Sequence, residues 1–89
     1  MINPVYSPSA TRYQSGIRYR RCGQSGIRIP EIALGLWHNF GDVNPLARSF
    51  EMAHYAFDHG IVHFDLANNY GPSYGSAEET FGQIMKISF

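Results

Sequence analysis

The densest run of side chains able to do chemistry is His63-Phe64-Asp65-Leu66-Ala67-Asn68-Asn69-Tyr70-Gly71. A carboxylate closes an apolar stretch, and a phenol follows five residues later on a glycine-rich segment. A phenol is a poor acid at neutral pH, with an unperturbed pKa near 10. Nearby positive charge stabilises its phenolate and makes the hydroxyl a proton donor. A carboxylate beside a lysine can hold that charge in position. Asp65 and Tyr70 are thus half of a proton-donating site. A plainer reading stands beside it: an Asp after a strand often caps a loop, and a Tyr near a Gly often packs. Spacing alone leaves both open.

Other reactive types carry less. His59 and His63 are four apart, a spacing that puts zinc ligands on one helical face. Gly60 interrupts any helix between them, and His63 sits in an apolar strand, so no metal site is expected. His38 lies in a loop, where it either faces a substrate pocket or is solvated. Cys22 is the only cysteine and reads as a quiet thiol at a hairpin end. One thiol cannot form an internal disulfide, which fits a reducing compartment. Gly23 to Gly26 is a hairpin turn and does not open a helix as a dinucleotide fingerprint would.

The elements that must position Asp65 and Tyr70 follow from periodicity. Met1 to Ser15 is rich in Pro, Ser and Asn without an apolar period, and reads as a loose tail; residues 16–89 form the folded part. Ile17 to Cys22 and Ile27 to Ile29 alternate around Gly23-Gln24-Ser25-Gly26, which predicts a β-hairpin. Ile32 to Trp37 is almost wholly apolar, as a strand covered on both faces requires. A helix follows, with Asn44 as its cap and Pro45 in its first position. Leu46, Phe50, Ala53 and Phe57 line one face, and Gly60 supplies a left-handed stop. Ile61 to Phe64 is a second strand, so strand, helix and strand make a parallel crossover. Ser76-Ala77-Glu78-Glu79 has the form of a capping box and opens a second helix with Ala77, Phe81, Ile84 and Met85 on one face.

Composition narrows the function classes. Seven basic residues balance seven acidic ones, so no positive excess points to nucleic acid or an anionic membrane surface. The start lacks the basic end and apolar run of a secretory signal, and no stretch approaches the ~20 apolar residues of a membrane span. The expectation is a soluble cytoplasmic protein. Its 44% apolar residues can form a core. Two parallel strands nevertheless leave both sheet edges open, and the second helix has no strand to lead to. Either the remainder of the fold lies on other sequence, or these 89 residues form a small α+β domain of their own.

Gly60 to Gly71 resembles the signature around the catalytic Asp and Tyr of the aldo-keto reductase family. Ser76-Ala77-Glu78-Glu79-Thr80-Phe81-Gly82 extends the resemblance into the next helix. Tyr19 to Gly26 is similar to the hairpin that closes the barrel bottom in that family, and Leu34 to Gly41 to its first strand and loop. The wording is nearest to the bacterial L-glyceraldehyde 3-phosphate reductase branch, related to the potassium-channel β-subunits. Leu66 replaces a Thr common in the wider family, a change this branch tolerates. The resemblance covers roughly Tyr19 to Phe89.

The resemblance implies an α/β fold, the N-terminal portion of a (β/α)8 barrel, a complete example of which runs to ~250 residues. It implies hydride transfer from NADPH to the carbonyl carbon of a small aldehyde or ketone, L-glyceraldehyde 3-phosphate or a methylglyoxal-like compound among them. Asp65 and Tyr70 would be the catalytic pair, with Tyr70 protonating the developing alkoxide. Trp37 and Asp65 would lie by the nicotinamide ribose, with Leu36 adding backbone contacts. The family's Lys and His stand on later strands and have no counterpart here; Lys86 is the only lysine. The main NADPH phosphate contacts come from the family's C-terminal part. This chain alone is therefore expected to be inactive, the remainder of the barrel being missing, with homo-oligomerisation of the full-length protein left open. The β-subunit relatives suggest the alternative of a non-catalytic interaction module.

Overall fold

A computed structural model describes residues 5–89. Alternating side chains and a glycine-bounded turn produce the first paired element. Strand β1 (Tyr19–Arg21) pairs antiparallel with β2 (Arg28–Pro30), Arg20 standing opposite Ile29. Gly23 and Gly26 take positive φ in the turn, and Ser25 Oγ donates to the Cys22 carbonyl at 2.7 Å.

A second sheet pairs β3 (Leu34–Gly35) with β4 (Phe64–Asp65) in parallel. Leu34 stands opposite Phe64 and Gly35 opposite Asp65. The crossover between them is helix α1 (Leu46–Asp58), and helix α2 (Ser76–Ser88) follows β4. The ladder is shorter than the apolar runs that encode it, because each strand has one neighbour among the described residues. Side chains alternate across a strand. Leu34, Leu36, Phe64 and Leu66 pack with the core, which centres on Leu36, Phe40, Ala53, Ala77 and Ile84. Gly35 and Asp65 fall on the opposite face. Among the described residues only one face of the strand pair is covered: Ala33, Gly35, His63 and Asp65 are exposed. The helices bury one side only.

Both helix starts differ from expectation. Asn44 does not cap α1. Pro45 is the boundary residue, with extended backbone (ψ 128°), and its carbonyl accepts from Arg48 N at 3.0 Å. Asn44 N donates to the Gly41 carbonyl, which places Asn44 in the preceding turn. The most buried stripe of α1 is Ser49, Ala53 and Ala56, with Phe50 and Phe57 partly covered and Leu46 exposed. Small side chains let the helix approach its neighbours closely. In α2 the boundary residue is Gly75 at φ 89°, and Ser76 is already helical. No capping box forms, because the Ser76 hydroxyl donates backwards to the Ser73 carbonyl at 2.5 Å. Ala77, Thr80 and Ile84 are buried, while Met85 stands at the exposed margin.

Gly60 ends α1 as expected, at φ 89°. Gly60 N donates to the Phe57 carbonyl and Ile61 N to that of Ala56, the two bonds of a Schellman motif. The hairpin docks on this end, Tyr19 Oη donating to the Gly60 carbonyl and Ser15 Oγ to that of His59. Where the sequence reads as a loose tail, residues 5–15 run along α1 and include a 3-10 turn at Arg12–Gln14. Their contacts are single polar and aromatic ones, which leave no apolar period in the sequence. The first part of the expected tail, Met1 to Pro4, lies outside the described residues. Among the described residues no helix is long and apolar enough to cross a membrane.

Candidate active site

The parallel register fixes one end of the sheet. Asp65 is the last paired residue of β4, and Leu36 N donates to its carbonyl at 2.9 Å. Leu36, Trp37 and Asp65 are thus gathered at the C-terminal ends of the two strands, where α/β barrels build their sites. Leu36 turns into the core, fully buried. Asp65 is exposed, and its carboxylate forms no ion pair with a described residue.

Tyr70 is brought to the same end by a turn and a helix start. Its amide donates to the Ala67 carbonyl at 3.1 Å. Its carbonyl accepts from Gly75 N at 3.0 Å and Ala77 N at 3.2 Å, satisfying amides at the start of α2. The backbone of Tyr70 is therefore tied to a rigid element. Its half-buried ring meets the Trp37 ring at 4.9 Å between centroids. Trp37 is 47% exposed, leaving part of the indole free for another molecule.

A clasp missed from sequence joins the two loops that bear Trp37 and Tyr70. Asp42 N donates to the Pro72 carbonyl at 2.9 Å and to Ser76 Oγ at 3.0 Å. Ser73 N donates to Asp42 Oδ1 at 2.8 Å. Gly41 is buried against this contact, and a Cβ there would run into the Pro72 carbonyl. In the sequence this contact is marked only by the adjacent Gly41-Asp42 pair.

The histidines do not join the site as ligands. His59 is exposed with Nδ1 at 2.8 Å from the Tyr55 carbonyl, and His63 is exposed on the strand. Among the described residues no three of His, Cys, Asp and Glu stand close enough to hold a metal ion. His38 is exposed and lies edge-on to Trp37 at 6.0 Å. Lys86 lies nine residues beyond Ala77 in α2, roughly 13 Å along the helix at its usual rise. A groove of about 880 Å³, lined by Tyr6, Leu46, Phe50, His54 and Ile87, opens on the helix side and includes none of the strand-end residues.

Comparison with known proteins fits this arrangement. The model of the Aldo/keto reductase family matches residues 31–88, more than half of the chain. The chain belongs to the aldo/keto reductase family. The match begins at Glu31, after the hairpin, and takes in Leu36, Trp37, Asp65 and Tyr70. Over 85 residues this aldo/keto reductase chain is 58% identical to the L-glyceraldehyde 3-phosphate reductase of Escherichia coli strain K12, and equally to that of strain O157:H7. The alignment covers 96% of the chain and 24% of each relative. The chain spans about a quarter of the length of these curated relatives.

Proposed function

We propose that this chain supplies the first strands and helices of a (β/α)8-barrel reductase that uses NADPH to reduce a small aldehyde or ketone to an alcohol. Supporting this is the gathering of Leu36, Trp37, Asp65 and Tyr70 at one end of a parallel strand pair. The substrate class we favour is L-glyceraldehyde 3-phosphate and related small carbonyls, because relatives 58% identical carry that activity in their name. A cytoplasmic setting goes with that reading.

The residues present fit a nicotinamide cofactor: a half-exposed indole, an exposed carboxylate and a backbone edge share one open face. Leu36, Trp37 and Asp65 would hold its ribose and ring. When bound, it supplies the hydride that the carbonyl carbon receives. Tyr70 Oη would donate a proton to the carbonyl oxygen as charge develops there, and proton donation of this kind is worth ~10²–10⁴ in rate. Asp65 would orient a lysine that lowers the Tyr70 pKa by its charge. That lysine and the remaining cofactor contacts are not among these 89 residues. Positioning and electrostatic stabilisation both need the whole site, so the chain alone would be inactive.

A chimaera tests this. The 85 matched residues would replace their counterparts in the E. coli relative. The chimaera should oxidise NADPH in the presence of L-glyceraldehyde 3-phosphate, and Tyr70→Phe should lower its kcat ~10²-fold or more. NADPH oxidation by the 89-residue chain alone, or full activity in the Tyr70→Phe chimaera, would overturn the proposal.

A further inference from the structure

The reductase reading makes no use of the start of the chain, yet that segment makes contacts of long sequence range. Tyr6 stacks flat on His54 of α1, with ring centroids 3.7 Å apart and planes at 8°. Tyr6 Oη donates to Asp58 Oδ1 at 2.6 Å, and Ser9 N donates to the same oxygen at 2.9 Å. His54 and Asp58 stand four residues apart on α1, so one helical face presents both. From the other side, Ser88 Oγ of α2 lies 2.7 Å from His54 Nε2. The Phe89 ring closes the junction, 6.0 Å from Tyr6 and 6.1 Å from His54. The imidazole of His54 therefore stands on α1 and touches both the leading segment and α2.

We propose that residues 5–15 form a strap that buckles α1 to α2 through Tyr6, and that protonation of His54 loosens the buckle. The neutral imidazole lies among the rings of Tyr6, Phe50 and Phe89. A second ring proton would place charge in that partly desolvated setting, which disfavours the charged form. The charged and titratable groups facing it are Asp58 and Glu51 of α1 and the Tyr6 phenol, with Arg12 of the strap behind Tyr6. From α2 comes Ser88, and next to it stands Phe89, whose ring faces His54 and whose α-carboxylate is a further charged group in the 89-residue chain. Burial outweighs the attraction of Asp58 and holds the His54 pKa below its ordinary 6.5. The folded-state value is depressed, so the stabilisation is whole above pH 6.5. It is lost as pH falls from there through the folded value.

Amide hydrogen exchange of residues 5–15 in the 89-residue chain reads the strap directly, compared at about pH 7.5 and about pH 5.5, where carboxylates stay ionised. After correction for intrinsic rates, protection should be weaker at the lower pH. In His54→Phe, which keeps a stacking ring without a charge, protection should survive at both. Tyr6→Ala should lose it at both while circular dichroism reports intact helices. Equal protection of the unmodified chain at the two pH values, or a loss of equal size in His54→Phe, would overturn the proposal. A titration of the His54 ring by NMR needs no variant: a midpoint below 6.5 supports the buckle, and one at or above 6.5 refutes it.

Discussion

Trp37 and Tyr70 meet edge to face, their ring centroids 4.9 Å apart and their planes at 83°. One follows β3 and the other follows β4, so the contact reports whether the two strand ends are in register. Trp37 is also the only tryptophan in the chain. Its fluorescence is therefore a probe of this one place. Tyr70→Ala should shift the emission and lower stability by about 1–2 kcal/mol, the worth of an aromatic pair plus partial burial. Tyr70→Phe should leave both nearly unchanged, because it keeps the ring. Urea unfolding followed by Trp37 emission measures the two effects together.

Neighbouring residues of α2 should differ sharply. Ile84 is fully buried and Met85 is 49% exposed. Ile84→Ala should cost about 2–5 kcal/mol through lost burial and a cavity. Met85→Ala should cost less than about 1 kcal/mol. In a chain this small the first loss consumes much of the total stability, and a lowered thermal midpoint or outright unfolding would register it.

Two glycines should respond to alanine with opposite signs. Gly60 has φ 89°, and a Cβ there would meet the Arg12 carbonyl oxygen at 2.7 Å and the Tyr19 hydroxyl. Gly60→Ala should destabilise by about 1–3 kcal/mol and loosen the hairpin from α1. Gly82 lies inside α2 with open space around its Cβ position. Gly82→Ala should stabilise by about 0.5–1 kcal/mol through helix propensity. Paired thermal melts decide it.

Alkaline pH should separate the tyrosines. Burial raises the Tyr6 pKa above 10, and its hydrogen bond to Asp58 adds to the rise; burial also raises that of Tyr19. Both folded-state values lie above the unfolded one, so their stabilisation is whole below pH 10 and is lost as pH climbs through the folded values. Phenolate absorbance should show these two ionising above pH 10. Tyr6→Phe and Tyr19→Phe should each remove one late step.

The order strand, helix, strand, helix was legible because Pro45, Gly60 and the apolar runs mark it locally. The parallel pair followed from the length of the crossover. The residue at each helix boundary was not legible. Asn44 and Pro45 are both plausible starts, as are Gly75 and Ser76, and the choice turns on which one takes the non-helical backbone. That depends on long-range bonds such as Asp42 N to Ser76 Oγ. The contacts of residues 5–15 were hidden for the same reason: Tyr6 and Asp58 are 52 residues apart. Asp65, Tyr70, Leu36 and Trp37 could be picked out by type and resemblance. Their meeting at one strand end was a matter of register, and the Asp42 clasp had no periodic signal to betray it.

Strand β4 works as an odd-even counter. Phe64 lies against Phe81 of α2, at 4.9 Å between rings, and its neighbour Asp65 points the other way. A residue inserted among Ile61, Val62 and His63 would reverse that parity, pressing the carboxylate into the phenylalanines and turning an apolar ring outward. The three-residue spacer after Gly60 is therefore constrained more tightly in its length than in its chemistry. Tolerance to substitution there, with intolerance to a single insertion, is the mark such a counter would leave.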